Sequence, residues 1–298
     1  MKIIVTGSLG HISKPLTEEL VQKGHTVTVI SSKPEKQKEI EALGATAAIG
    51  SIEDVTFLAG VFAGADAVYS MIPPHDFFDH NFDMTAFYRR IANNYVQAIR
   101  QSGVKRVVHL SSIGAHLDKG TGLILSHHDV EGILNDLQDV AITFMRPTAF
   151  YYNLFGFLAP IKNKGVIASN YGASDMVVWV APTDIAAAVA EEIVAPPVGR
   201  KILYVASDEL TGNEVAGILG AAIGKPDLEW VVIPDEQMKS GLEAVGMPKQ
   251  IAADFVEMNA SMHKGELFGD YYRNRPKVFG KVKMKDFAKE FAAAFNQR

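Results

Sequence analysis

The segment Ile3-Ile4-Val5-Thr6-Gly7-Ser8-Leu9-Gly10-His11-Ile12-Ser13 constrains the fold more than any other. Ile3 to Val5 predicts a short buried strand. Gly7 and Gly10 follow it at once. Ile12 to Lys23 reads as a helix, with Leu16, Leu20 and Val21 on one face and Pro15 in the first turn, where its missing N–H costs little. A strand, a glycine turn and a helix together make a phosphate cradle. Gly7 permits the tight turn, Gly10 permits close approach of backbone to a pyrophosphate, and the helix N-terminus offers free N–H groups. The third small position is Ser13 rather than Gly. The alternative is a coincidental turn. Its position between strand and helix argues instead for nucleotide binding through Gly7, Ser8, Leu9, Gly10, His11 and Ile12.

The pattern then alternates. Strands are expected at His25–Ile30, Ala45–Ile49, Ala67–Met71, Lys105–Leu110 and Ala141–Met145, with helices at Phe87–Gln101 and His127–Leu137. Such alternation implies a parallel sheet covered on both faces, a Rossmann-type doubly wound α/β fold. Beyond Pro147 the pattern loosens. Val177–Val180 and Lys201–Val205 read as strands, and Asp184–Val194, Thr211–Ile223, Pro248–Met258 and Met284–Phe295 as helices. The expected organisation is a dinucleotide-binding part over 1–150 and a smaller α/β substrate lobe over 151–298, intertwined as one unit.

The end of the second strand bears on the cofactor. An NAD site usually carries Asp or Glu there for the ribose hydroxyls. This chain has Ser31-Ser32-Lys33-Pro34-Glu35-Lys36, whose hydroxyls and lysines suit a 2′-phosphate, so NADP(H) is favoured over NAD(H). Lys33 and Lys36 read equally as solvated loop charges, and Glu35 could turn to the ribose. Ser51 follows the third strand and is expected near the adenine, with Asp54 as a helix N-cap.

Composition narrows the partners. A formal charge of −5 without a basic stripe argues against nucleic acid. The absence of cysteine excludes disulfides, thiolate-bound zinc and thiol catalysis, and fits a cytoplasmic protein. The opening strand leaves no expected room for a signal peptide, and no apolar run suits a bilayer span. A small-molecule substrate is the expected partner.

Several further segments carry a family resemblance. They include Gly7-x-x-Gly10, Lys33-Pro34-Glu35-Lys36, Gly50-x-x-x-Asp54, Ala63-Gly64-Ala65-Asp66-Ala67-Val68 and Val104 to Ser112. His127-x-x-x-Glu131, Arg146-Pro147-Thr148-x-Phe150-x-x-Asn153, Thr183-Asp184-Ile185-Ala186 and Met284 to Ala288 follow in order. The chain thereby resembles the NmrA-like branch of the atypical short-chain dehydrogenase/reductases over nearly its whole length. That branch includes quinone and enone reductases, and redox sensors that bind cofactor without turnover. Three positions depart from the pattern. Ser32 stands where the family often has Arg, and Ser51 where it often has Asp. Leu123 and His127 occupy the positions of the Tyr-x-x-x-Lys pair of ordinary short-chain dehydrogenases, so the tyrosine acid is absent.

The resemblance implies hydride transfer to a quinone- or enone-like acceptor, and the alternative is a non-catalytic NADP sensor acting through a protein partner. An epimerase or lyase is disfavoured without the Tyr/Lys pair. The expected site lies beyond the carboxyl ends of the fourth to sixth strands. Its candidates are Pro73, Pro74, Ser111, Ser112 and His127, the last as a nicotinamide-ribose contact or proton donor. His127 reads equally as a capping residue, and Ser111 and Ser112 as plain strand-end hydroxyls. Tyr151 and Tyr152 are candidate pocket walls or core aromatics. His75 to Asp83 reads as a flap presenting Phe77 and Phe78 to a flat substrate, as an ordinary loop, or as a metal site using His75, Asp76, Asp79 and His80. Arg146 is expected in a buried ion pair that fixes the turn after the sixth strand, ahead of the alternative of substrate binding, and Asp184 as a helix N-cap.

Overall fold

The computed structural model describes residues 1–297. The first half is a regular alternation: β1 (Lys2–Val5), α1 (Ser13–Gln22), β2 (Thr26–Ser31), α2 (Gln37–Ala42), β3 (Thr46–Ile49), α3 (Val55–Phe62), β4 (Ala67–Ser70), α4 (Met84–Ser102), β5 (Arg106–Leu110), α5 (Leu125–Leu134) and β6 (Ala141–Pro147). The second half runs β7 (Ala149–Phe150), α6 (Leu158–Lys164), β8 (Val166–Ser169), β9 (Met176–Val180), α7 (Pro182–Val194), β10 (Arg200–Val205), β11 (Asp208–Thr211), α8 (Gly212–Ala222), β12 (Glu229–Val232), α9 (Asp235–Ala244), α10 (Lys249–His263), α11 (Gly269–Arg273) and α12 (Met284–Asn296).

Seven strands form one parallel sheet in the order β10-β6-β5-β4-β1-β2-β3. Chain order reverses at β1, which has β2 on one side and β4 on the other. Such a switch point opens a crevice at the carboxyl ends of the strands. Two apolar layers sandwich the sheet. Ile3, Val5, Tyr69 and Val108 pack with Leu16 and Leu20 of α1 and Ile185 and Val189 of α7. On the other face, Ile4, Val68, Val107 and Ile142 meet Leu58 of α3, Ile91 and Tyr95 of α4 and Val130 of α5. The strands read as unbroken apolar runs because both faces are buried.

The second half does not stay apart. β10 is the seventh strand of the main sheet, beside β6, and α7 packs on α1. A buried network closes this edge. Arg106 donates to the carbonyls of Glu192 and Ile193 at the end of α7 and to the Glu192 carboxylate at 3.1 Å, and Glu192 also accepts from Thr143 at 2.8 Å. The remaining strands form a β11-β9-β7 sheet and a β12-β8 pair. They enclose a separate core of Tyr151, Trp179, Trp230, Phe287 and Phe291.

Asp184 departs from its expected capping role. α7 begins at Pro182 with Ala181 as its N-cap. Asp184 lies inside the first turn and accepts from Ser207 Oγ at 2.7 Å, Lys281 N at 3.0 Å and Val282 N at 3.1 Å. It fastens the C-terminal strap to the sheet. Asp54 does cap its helix, accepting from Phe57 N at 3.0 Å. Ile12 stands just before α1 as its N-cap, so the helix starts one residue later than expected. Among the described residues, no helix is long and apolar enough to cross a membrane.

Candidate functional site

The glycine turn adopts the geometry that its sequence suggests. Gly7 has φ +88°, and an added Cβ would lie 2.6 Å from Ser13 Oγ and 3.0 Å from Met71 Sδ. Ser13 Oγ donates to Thr6 O at 2.8 Å, which shows why Ser serves at the third small position. It lets α1 approach β1 closely and ties the two together. Gly10 N donates to Gly7 O at 3.1 Å. No side chain caps α1, which leaves N–H groups at its start for an anion. Ile12 and Leu9 point side chains toward the core, so only their backbone is offered. His11 is exposed.

Ser8 is one of two non-glycine residues with positive φ among those described, at +54°. This strained conformation is held by two bonds to β2: Ser8 N donates to Ile30 O at 3.1 Å, and Ser8 Oγ donates to Ser31 Oγ at 2.9 Å. Ser31 Oγ also accepts from Lys33 N at 3.2 Å. Ser31 is therefore buried and spent on binding the β2 end to the glycine turn. Ser32 and Lys33 are exposed beside it. Lys36 Nζ pairs with Glu39 at 2.8 Å. Ser51 is exposed after β3 and accepts from Glu53 N at 3.1 Å.

Across the switch point, β4 is locked to the turn: Met71 N donates to Thr6 Oγ1 at 3.0 Å, and Tyr95 Oη donates to Met71 O at 2.7 Å. Two ring contacts flank this region. The His11 ring lies 5.2 Å from Tyr152. Burial and the nearby Tyr88 phenol push Tyr152 up to about 12. Tyr88, pushed up to about 12 by burial, meets His127 edge-on at 5.4 Å. One ring contact thus sits at the glycine turn and the other at the N-terminal turn of α5.

Several buried polar atoms on these elements have no hydrogen-bond partner. His127 is half-buried, and its Nδ1 has no hydrogen-bond partner. Burial lowers its pKa to about 4. His109, at the end of β5, bonds Ser70 Oγ through Nδ1 at 2.9 Å but leaves Nε2 unpartnered. Burial and then the proximity of His127 lower its pKa to about 3. Tyr69 Oη is likewise buried without a partner, and burial raises its pKa. Orphaned buried polar atoms are uncommon and mark a place where a ligand or water completes the bonding. With the uncapped helix and the glycine cradle, they form a set of groups that fits a dinucleotide laid across the switch point.

Some expected site residues lie elsewhere. Tyr151 is a correction. Its hydroxyl donates to Asp208 at 2.8 Å, and its ring stacks on Phe287 at 5.5 Å, inside the second core. The 3-10 helix over Tyr151–Phe157 turns neighbouring side chains apart, sending Tyr151 inward and Tyr152 toward His11. Ser111 is also committed to structure: Ser111 Oγ donates to Glu131 at 2.5 Å, and Glu131 holds Arg146 at 2.6 and 2.9 Å. Arg146 is buried in this pair, as its sequence context suggests, with Tyr204 and Asp270 beyond. Ser112 and Pro73 are half-buried at their strand ends.

Phe77 packs on Phe255 of α10 at 5.7 Å, within an apolar cluster that includes Leu123 and Met247. This packing, rather than a free flap, anchors the segment after β4. Phe78 is 48 % exposed. His75 stacks on Phe82 at 3.5 Å, while Asp76 and Asp79 accept from the backbone of Phe78 and Asn81. Among the described residues, no group of three or more His, Asp or Glu side chains could hold a metal ion.

Tyr88, Tyr69 and His109 escape sequence reasoning. A histidine within the apolar strand Arg106–Leu110 is the signal that was available for His109. Tyr88 carries none, because its helical spacing matches ordinary core residues.

A parallel sheet with a switch point, a glycine cradle and an uncapped helix define a dinucleotide-binding α/β protein. The chain belongs to the NmrA-like family, whose model matches residues 1–287. An NAD(P)H azoreductase from Xenophilus azovorans is 28% identical over 300 residues, covering 98% of this chain and 99% of the relative. The triphenylmethane reductase of Citrobacter sp. superposes with a TM-score of 0.80 at 22% identity, covering 98% of this chain and 100% of that one. The NADPH-dependent quinone oxidoreductase of Escherichia coli, solved with NADPH, gives 0.79 at 20% identity over 97% and 99%. At these identities the likeness of the two solved structures is one of fold.

Proposed function

We propose that this protein is an NADPH-dependent reductase that passes hydride to a small, flat, conjugated acceptor of the quinone or enone kind. The observation that carries the reading is the His11–Tyr152 ring contact beside the phosphate cradle together with the Tyr88–His127 contact at the start of α5, where a buried ring nitrogen of His127 lacks a partner. The azoreductase relative supports it, since an azo compound is also a conjugated electrophile.

When bound, the dinucleotide supplies the hydride. The chain's own residues do the rest. The N–H groups at the start of α1 receive the pyrophosphate, and Gly7 and Gly10 give it room. Ser32, Lys33 and Lys36 would receive the 2′-phosphate, Lys36 by sharing or leaving Glu39. Tyr152 and Tyr88 offer flat apolar walls. His127 stays neutral near pH 7, because burial depresses its protonation. It therefore acts as a hydrogen-bond donor that orients an oxygen, rather than as an imidazolium acid, and solvent delivers the proton. A quinone tolerates this arrangement, since its reduced oxygen needs no strong acid.

The test is NADPH and NADH consumption, followed by absorbance, with a panel of quinones, enones and azo dyes. A Gly10→Asp variant places a carboxylate against the pyrophosphate and serves as the control. Saturable oxidation, faster with NADPH and lost in the variant, is the expected result. Tight NADPH binding without turnover on the whole panel would overturn the reductase reading in favour of a binding protein.

A further inference from the structure

We propose that Glu39 is an internal competitor for the cofactor's 2′-phosphate, and that its hold on Lys14 and Lys36 sets how strongly NADPH is preferred over NADH. The inference rests on the reading of the β2 end as a 2′-phosphate site and adds the residue that tunes it.

Glu39 holds both lysines at once. Lys36 Nζ donates to one carboxylate oxygen at 2.8 Å, and Lys14 Nζ donates to the other at 3.4 Å. The two lysines come from different elements. Lys14 stands in the first turn of α1, where its backbone N–H donates to Gly10 O of the glycine turn at 3.0 Å. Lys36 closes the 3-10 turn Pro34–Lys36 that follows β2. The carboxylate therefore bridges the start of α1 and the end of β2, the elements that receive the pyrophosphate and the adenine ribose in a fold of this kind. Its neighbour keeps it there. Ile40 is fully buried in one layer with Leu16 and Leu20, which seats α2 beside α1.

The three side chains are 39 to 43 % exposed. Exposed ion pairs add little to stability, so the fold does not depend on these bonds and they open readily. Each ammonium has three donors and turns easily to another acceptor. A phosphate monoester brings about −1.5 to −2 charges near neutral pH, more than the carboxylate it displaces. It wins the lysines, but it does so against the repulsion of a carboxylate that stays close by. The 2′-hydroxyl of NADH is neutral and meets no such opposition. Glu39 thus taxes NADPH and spares NADH. Glu35 is exposed on the same 3-10 turn, yet Glu39 is the residue that both lysines grip.

The experiment is titration calorimetry with NADPH and NADH, and with the fragments 2′,5′-ADP and 5′-AMP. Glu39→Gln is expected to bind NADPH and 2′,5′-ADP about three- to fivefold more tightly, the scale of an exposed charge pair, with NADH and 5′-AMP unchanged. The gain shrinks as salt rises. Glu35→Gln removes the same charge one residue from Lys36 and is expected to change NADPH affinity less. Lys14→Met and Lys36→Met each weaken NADPH without weakening NADH, and Lys36→Met combined with Glu39→Gln loses most of the gain. Thermal melting without cofactor shows that each variant folds.

A Glu39→Gln variant that leaves NADPH affinity unchanged or weaker, tightens NADH equally, or is matched by Glu35→Gln overturns the proposal. If Glu39→Gln is silent while the lysine variants weaken NADPH alone, the 2′-phosphate reading stands and the competition by Glu39 falls. If neither lysine variant separates NADPH from NADH, the reading of the site falls and the proposal falls with it.

Discussion

Burial holds His127 near pKa 4 and His109 near 3, against an ordinary value of 6.5. Below about pH 6.5 the unfolded chain takes up protons that the folded chain refuses, so stability falls as pH drops toward 4. The slope reaches roughly 1.4 kcal/mol per pH unit for each histidine. Urea midpoints at about pH 7.5 and about pH 5 check this. The wild-type midpoint is expected to fall on acidification, and that of His109→Phe to fall less. Gly7 makes a second residue-scale test. Its positive φ and the 2.6 Å approach of Ser13 Oγ leave no room for a methyl group. Gly7→Ala is expected to cost roughly 1–3 kcal/mol and to weaken NADPH binding, read by thermal melting and by titration.

At the scale of elements, α5 is held at both ends. Its C-terminal half is anchored where Glu131, one turn beyond His127, receives the buried Arg146 of β6 and Ser111 just past β5. Removing one member of such a pair strands a buried charge, so Arg146→Met is expected to cost roughly 3–5 kcal/mol in chemical denaturation. It also tilts α5 and lowers kcat. The other end follows a 3-10 turn at Gly122–Ile124 that packs on α10. Gly122 has φ +50°, and a Cβ there would lie 1.8 Å from Asp254 O. Gly122 N also donates to Glu257 at 3.1 Å. Gly122→Ala therefore pushes α10 away from α5, with an expected loss of roughly 2 kcal/mol or more. Proteolysis within α9 and α10 at increased rate would report the detachment.

For the whole molecule, cofactor binding and stability are linked because the cradle exists only in the folded chain. NADPH at about a hundred times its Kd adds about 2.7 kcal/mol, a shift of several degrees in Tm. NADH at the same concentration is expected to give a smaller shift, and Gly10→Asp to abolish both. The interleaving of the two halves makes this a single event. β10 is a strand of the main sheet and α7 packs against α1 on one of its faces, so loading the cradle steadies the second half as well.

The glycine turn, the first six strands and the Arg146 ion pair were legible because their signals are local: residue types at fixed offsets along one element. Several second-half elements were missed, among them α6, β8, β12 and α9, where the strands are four residues long, α6 is seven residues long and α9 has no buried residue. Tyr151 and Tyr152 are neighbours with the same chemistry, and only the turn into a 3-10 helix sends one into the core and the other toward His11. The bond between Ser70 and His109 and the edge-on packing of Tyr88 on His127 each join elements distant along the chain. By itself the sequence determined the cradle and the layer order, since periodicity and glycine placement act over a few residues. Tertiary structure alone decided which polar atoms face one another in the crevice, because that depends on how the whole sheet packs its helices.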